Sequence, residues 1–235
     1  MRKLLFVLVI TITTAALAQA TGDPAITARD RSDAVALSAI IAGAQKSASD
    51  THNFDAQMRL AQLDHWMTEV SFSRPGRAGL AAAAGEEVKA AEAAVALRPQ
   101  SAEAHARLGI GLSDAISADP SSAMTDGPRS MEEFSAALRL DPKNADAKLG
   151  AAIGLLFTPA EYGGDVKEAV AQMRQAVALA PMDDTAHLWL AQALAKDGQP
   201  AAALAEVNAA LAIDPNRDWT KMLRRQWATA AKRLN

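Results

Sequence analysis

His65 and Glu69 stand four residues apart, with Asp64 beside them. On a helix that spacing places an imidazole and a carboxylate on one face, from which a divalent-metal site can begin. No second His accompanies them, so the pair reads as a surface ion pair and no metal is expected. Gly109-Ile110-Gly111 has dinucleotide-loop spacing, but it lies in a helical pattern and follows no strand. Gly163-Gly164-Asp165 lacks the Lys-Ser/Thr that completes a phosphate loop. It reads better as a tight turn, with Asp165 and Glu168 as a capping box for the next helix. No nucleophile sits in a recognisable base motif, and the chain has no Cys. That excludes disulfides and thiolate metal sites; no catalytic residue, enzyme activity or cofactor is expected.

The elements that carry these residues are helices. The chain has 235 residues, half of them hydrophobic and only 4% aromatic, with alanine plainly over-used. Alanine combines the highest helix propensity with the smallest Cβ-bearing side chain, which favours thin helices packed closely. Four segments end alike, at Pro99, Pro142, Pro181 and Pro215. Each has Ala five residues before the Pro and Leu or Ile two before it. Ala91, Phe134, Met173 and Val207 stand eight before. These offsets predict one apolar helix face, with the Pro ending the helix. A second helix precedes each of the last three, with Ser101, Asn144 and Asp184 as N-caps. His105 and His187 recur at one repeat position, which argues for packing between paired helices.

Asp184 to Pro215 resembles the tetratricopeptide repeat without a gap. His187 stands where that family prefers Trp. Leu190 and Ala191 match its Leu-Gly pair, Leu194 takes the usual Tyr position, and Gly198 closes the turn. Ala203, Val207, Ala210 and Pro215 match the second helix. Pro181 to Pro215 is 34 residues, the family's repeat length. The two preceding spacings, 39 and 43, are longer, which assigns loops to Thr158–Gly164 and Ala118–Gly127. The resemblance covers about Ser101 to Asn216. The layout around the Gly-Gly-Asp turn is also similar to a bacterial envelope subset of the family.

The resemblance implies an all-α protein, a right-handed α-solenoid of stacked antiparallel helix pairs. The expected divisions are a signal peptide at 1–20, N-terminal helices at 21–99 with one degenerate repeat, three repeats at 100–216 and a C-terminal capping helix at 217–235. Upstream helices are expected at Asp30–Lys46 (Val35, Leu37, Ile40, Ile41), Asn53–Val70 (Phe54, Met58, Ala61, Met67) and Ala78–Leu97, with a turn at 73–76. Asp218 is expected to cap a last helix with Trp219, Met222, Leu223, Trp227, Ala230 and Leu234 on one face. Lys221, Arg224, Arg225, Lys232 and Arg233 lie on its other side, read as a solvated face that suits the helix C-terminal dipole, the alternative being a membrane or acidic-partner patch.

Met1-Arg2-Lys3, the apolar run after them and Ala18-Gln19-Ala20 match a secretory signal peptide with Thr21 as first mature residue. The expected location is periplasmic or secreted. Without Cys the chain is not a lipoprotein, and no membrane span is expected in the mature chain. Cleavage leaves 22 basic and 27 acidic residues, a formal charge of −5, which speaks against nucleic-acid binding.

Carried over from the family, the concave groove falls on Glu103, Ala106, Ile110 and Ser113, then Asp146, Leu149, Ile153 and Leu156, then Thr185, Leu188, Gln192 and Ala195. This lining is mostly apolar with an acidic fringe. It departs from the basic, Asn-bearing groove that clamps C-terminal carboxylates of chaperones. The expected function is an exported, non-catalytic scaffold or adaptor, monomeric, holding an unidentified protein or peptide segment. The alternative is a small-molecule or lipid-binding accessory of an envelope transport system. The bland reading is that the extra N-terminal helices fill much of the lining.

Overall fold

The computed structural model describes residues 22–72, 74–77 and 79–233, with backbone alone at 75, 226–227 and 229–233. The expected signal peptide and its cleavage point lie outside these residues. Eleven α-helices and no strand occur among the described residues. They are α1 (Pro24–Asp30), α2 (Ala34–Thr51), α3 (Phe54–Phe72), α4 (Leu80–Leu97), α5 (Ala102–Ala118), α6 (Ala123–Leu140), α7 (Ala145–Phe157), α8 (Val166–Leu179), α9 (Asp184–Lys196), α10 (Pro200–Ile213) and α11 (Asp218–Arg233). Four helical hairpins follow one another: α3 with α4, α5 with α6, α7 with α8, and α9 with α10. Successive first helices also touch, and α11 packs on α10. None of the described helices is long and apolar enough to cross a membrane.

Local chemistry explains most of the boundaries. Ser101 and Asn144 cap α5 and α7, their side chains accepting from the amides of Ala104 and Ala147. Asp165 caps α8 by accepting from Lys167 and Glu168. The capping box is only half made, because Glu168 bonds Gln172 and does not reach back. The cap of α9 is Asp183, which accepts from Thr185, and not Asp184. Asp184 is the first helical residue and is buried. Asp218 likewise lies inside the first turn of α11 and pairs with Lys221.

The stripe facing the stack is narrower than the Ala/Leu pattern suggests. Ala94, Ala137, Ala176 and Ala210 are all at most 1% exposed. Leu97, Leu140 and Leu179 are 39–46% exposed. Those leucines occupy the last helical position, where the chain turns away from its partner. Phe134 supplies the bulk between the middle pairs, and two glycines make room for it. A Cβ at Gly109 would come within 2.6 Å of its ring, and one at Gly150 within 2.1 Å. In the Gly109-Ile110-Gly111 motif, Gly109 thus allows close approach to a ring, and Gly111 close approach to Glu87 and Val88, and neither serves a phosphate.

Two boundaries differ from the expectation, whereas the loop expected at Thr158–Gly164 is present. The helix expected at Asp30–Lys46 runs instead over Ala34–Thr51, and Asp30 ends a separate short helix, with the chain turning at Ser32, φ 52°. Leu37 and Ile41 pack inward, whereas Val35 is 83% exposed. Ala118–Gly127 is mostly helical: a 3₁₀ turn at Pro120–Ser122 leads directly into α6, which contains Pro128 near its start. The Thr158–Gly164 connection is a 3₁₀ turn ended by Gly163 at φ 93°. There Gly164 lies so close to the Thr158 carbonyl that an added Cβ would stand 1.8 Å from its oxygen.

Candidate functional site

Helical geometry places the twelve groove candidates on the first helices, α5, α7 and α9. The structure covers most of the apolar ones. Ala106, Leu149, Leu156 and Leu188 are at most 7% exposed, so the expected open apolar lining is corrected at these positions. Ala106 and Ile110 pack with the Phe134 cluster. Leu149, Leu156 and Leu188, with Ile153 and Ala195 against them, belong to the large C-terminal core. Ser113 bonds Ser130 (2.9 Å), and Thr185 accepts from Arg217 (2.9 Å). Gln192 is half-buried, and Glu103 and Asp146 are exposed.

An aromatic row runs beside this lining. Phe157, one turn beyond Ile153 on α7, meets Trp189 of α9 edge-to-face with centroids 6.1 Å apart. Trp189 meets Trp219 of α11 at 6.3 Å. A cation lies near each end: Lys196 is 5.4 Å from the Phe157 ring, and the Arg217 guanidinium 5.1 Å from that of Trp219. Phe157 is 60% exposed, while Trp189 and Trp219 are half-buried. The row joins α7, α9 and α11 and presents its open end at Phe157.

The N-terminal helices reach across to the last repeat through charged side chains. Arg217, in the turn before α11, is 1% exposed. Its Nε and Nη2 donate to Glu69 of α3 at 3.1 and 2.6 Å, and its Nη1 donates to Asp184 and Thr185. Burial works against the Arg217 charge, but the Glu69 and Asp184 carboxylates outweigh it and hold the guanidinium still more firmly protonated. In parallel, Arg29 of α1 donates to Asp30 at 2.6 Å and to Asp214 at 3.0 Å. Burial pushes Asp30 up to about 6; Arg29 opposes this and Asp214 adds to it. Arg29 and Arg59 also lie over Trp66, 5.3 and 5.5 Å from the centre of its ring.

His65 does not pair with Glu69, which is committed to Arg217. Its Nδ1 lies 2.8 Å from Asp114 of α5 and 3.5 Å from Glu87 of α4. Glu87 is fully buried, and neither carboxylate oxygen has a hydrogen-bond partner. Burial pushes Glu87 up to about 8, with His65 opposing. For His65, burial favours the neutral ring, but Glu87 and Asp114 together override it and raise it to about 10. The neighbouring Asp64 is also buried, and burial lifts it to about 7, with Glu86 contributing.

His105 and His187 serve equivalent structural roles. The Nδ1 of each faces a glutamate on the second helix of its own pair, Glu133 at 2.5 Å and Glu206 at 2.7 Å. The Nε2 of each faces the carbonyl of the preceding proline, Pro99 or Pro181. Each ring therefore ties its helix to its partner and to the turn before it. Sequence reasoning missed Arg29, Glu87 and Arg217. Only Glu87 left a signal: it interrupts the stripe Ala83, Ala84, Ala90, Ala91, Ala94, which the structure buries.

On α11, Arg224 and Arg225 are exposed and Lys221 is half-buried. Leu223 is 8% exposed and packs in the C-terminal core, with Trp219 against it. Trp227, Ala230, Leu234, Lys232 and Arg233 lie outside the described side chains.

Stacked helical hairpins of this kind define an α-solenoid. Residues 157–218 match the family model of the tetratricopeptide repeat. No curated protein matches the chain in sequence. Among solved structures, it is similar to a thermophilic TPR protein of Thermus thermophilus, with 20% identity and a TM-score of 0.52 over 80% of this chain and 95% of that one. It also resembles MamA (16% identity, TM-score 0.42, 88% and 97% covered). A third is YrrB, described as a TPR protein with an unusual peptide-binding site (14% identity, TM-score 0.44, 85% and 96% covered). Residues 157–218 thus match the tetratricopeptide repeat, and the chain shares the fold of the TPR structure from Thermus thermophilus.

Proposed function

We propose that the protein is an exported, monomeric, non-catalytic scaffold that holds a segment of another protein beside the first helices of its last two repeats. The observation that carries this reading is the row Phe157, Trp189 and Trp219. It is an aromatic surface open at Phe157 and bounded by Lys196 and Arg217. The Phe157 ring, 60% exposed at the end of an aromatic row, offers a partner both hydrophobic and aromatic contact. Of the groove candidates, Asp146, Thr185, Gln192 and Ala195 belong to α7 and α9, the helices that carry Phe157 and Trp189. They are the positions that would fix the segment's register. Lys196 beside Phe157 suits a segment carrying a carboxylate next to an apolar side chain. The export signature Met1 to Ala20 supports a periplasmic or secreted location.

The test places a photo-crosslinking amino acid at position 157, and a second at the exposed Glu168 of α8 as control, in cells that make the full chain. A single discrete protein adduct is expected from 157 and none from 168. The adduct should disappear when Lys196→Glu is added. Equal labelling from both positions, or none from 157, overturns the reading. Adducts with lipid alone would favour a lipid-binding accessory instead. Fractionation followed by mass spectrometry tests export: a periplasmic chain that begins at Thr21 is expected, and a cytoplasmic chain that retains Met1 overturns it.

A further inference from the structure

We propose that His65, Glu87 and Asp114 form a divalent-cation site, matched to zinc(II), that pins α3 to α4 and α5. Each helix contributes one ligand, and the imidazole nitrogen and the two carboxylate oxygens all lie within 4.8 Å of one another. Zinc bound at about 2.0–2.2 Å to such ligands holds them roughly 3.3 Å apart. The present separations of 2.8 and 3.5 Å about His65 bracket that value, and all three atoms lie within 4.8 Å, so side-chain rotation must draw the carboxylates together around the ion.

The second observation is Glu87 itself. It has no exposed surface, sits in an alanine stripe, and accepts no hydrogen bond on either oxygen. A buried carboxylate that accepts no hydrogen bond, with the His65 ring 3.5 Å away, is costly, and natural interiors resolve it with a proton, a cation or a metal. The nearby cation, Arg107, donates to Gln62 at 2.6 Å instead. Gly111 brings the α5 backbone against Glu87: a Cβ there would stand 3.2 Å from its Cγ, which confines the carboxylate to the side of His65 and Asp114. The side chains of His65 and Asp114 are 23% and 22% exposed, so a hydrated ion has a way in and a water can complete the coordination. One nitrogen and two carboxylates form a donor set that suits zinc better than calcium or magnesium, which favour all-oxygen sites. Two carboxylates also balance the ion's charge.

The test uses the full chain stripped of metal by chelation and titrated with zinc chloride. Calorimetry should give one equivalent of saturable binding, and zinc should raise the thermal unfolding midpoint, because an ion held only by the folded state stabilises it. Cobalt(II) at the same site should show visible absorption of low-symmetry, four-coordinate type. Glu87→Gln should weaken zinc at least tenfold and abolish the thermal shift. As Gln resembles the protonated acid, this variant keeps its fold. Asp114→Asn, at a side chain open to water, should behave alike, and His52→Asn should not change binding. Absence of one-equivalent binding, undiminished binding by Glu87→Gln, or tighter binding of magnesium or calcium than of zinc overturns the assignment. The first two outcomes would leave Glu87 as a carboxyl group that is kept protonated by burial.

Discussion

Arg217 and Glu69, 148 positions apart in the chain, meet through two parallel hydrogen bonds at 3.1 and 2.6 Å. Through them the first hairpin is fastened to the turn that follows the last repeat. A solenoid whose repeats touch only their neighbours has no such link. Here the ends are coupled by side chains, since the backbones of α3 and α11 do not approach closely enough to pack as helices.

Removing one partner of that link leaves buried charges behind. Arg217→Ala is expected to cost about 3–5 kcal/mol, because Glu69 and Asp184 then have no guanidinium to face. Arg217→Lys should recover little of this, since one ammonium cannot reproduce the bidentate geometry. Chemical denaturation checks both, and wild-type midpoints would show that the link contributes nothing.

Two alanine substitutions should move stability in opposite directions. Gly43 of α2 is exposed with open space around its Cβ position. Gly43→Ala should stabilise by about 0.5–1 kcal/mol, from helix propensity alone. Gly150→Ala gains the same propensity but drives a Cβ to 2.1 Å from the Phe134 ring. Overpacking of about 1–3 kcal/mol wins there, and the net effect is destabilising. Thermal unfolding of the pair separates the two effects.

Asp183 supplies a pH prediction. Burial raises it to about 6, helped by Asp146 and Asp184, while the amides of Thr185 and Ala186 oppose. A carboxyl with a folded pKa above its unfolded value binds its proton more tightly in the folded state. Its ionisation therefore costs stability above pH 6, and the cost is relieved as the pH falls through 6 toward 4. Asp183→Asn retains an N-cap oxygen. The variant should be more stable than wild type at about pH 7.5, with the advantage shrinking through pH 6 and gone near pH 4. A difference independent of pH would show that ionisation of Asp183 is not its source.

Deleting residues 219–235 should lower stability by at least about 3 kcal/mol, from exposure of the C-terminal core covered by Leu223 and the loss of the Trp189–Trp219 contact. Urea unfolding of the shortened chain measures this. An unchanged midpoint would remove α11 from the role of cap.

Helices, hairpin ends and the repeat could be read from residue order because they depend on neighbours a few positions away. Pro99, Pro142, Pro181 and Pro215 stop helices by local sterics, Ser101 and Asn144 cap by reaching the next turn, and Ala94, Ala137, Ala176 and Ala210 mark the packed face at helical spacing. The same locality made His105 and His187 legible, since each bonds the turn before it and the helix after it. What tertiary structure decided was which polar groups lie inside and what they meet. Asp183, and not Asp184, caps α9 because Arg217 draws Asp184 inward. Leu149, Leu156 and Leu188 are core, and not free groove, because neighbouring pairs close over them. Glu69 faces Arg217 and leaves His65 to Glu87 and Asp114, a choice made among residues on four separate elements. Spacing along one helix cannot report such a choice; only the packing of several helices brings those charges together.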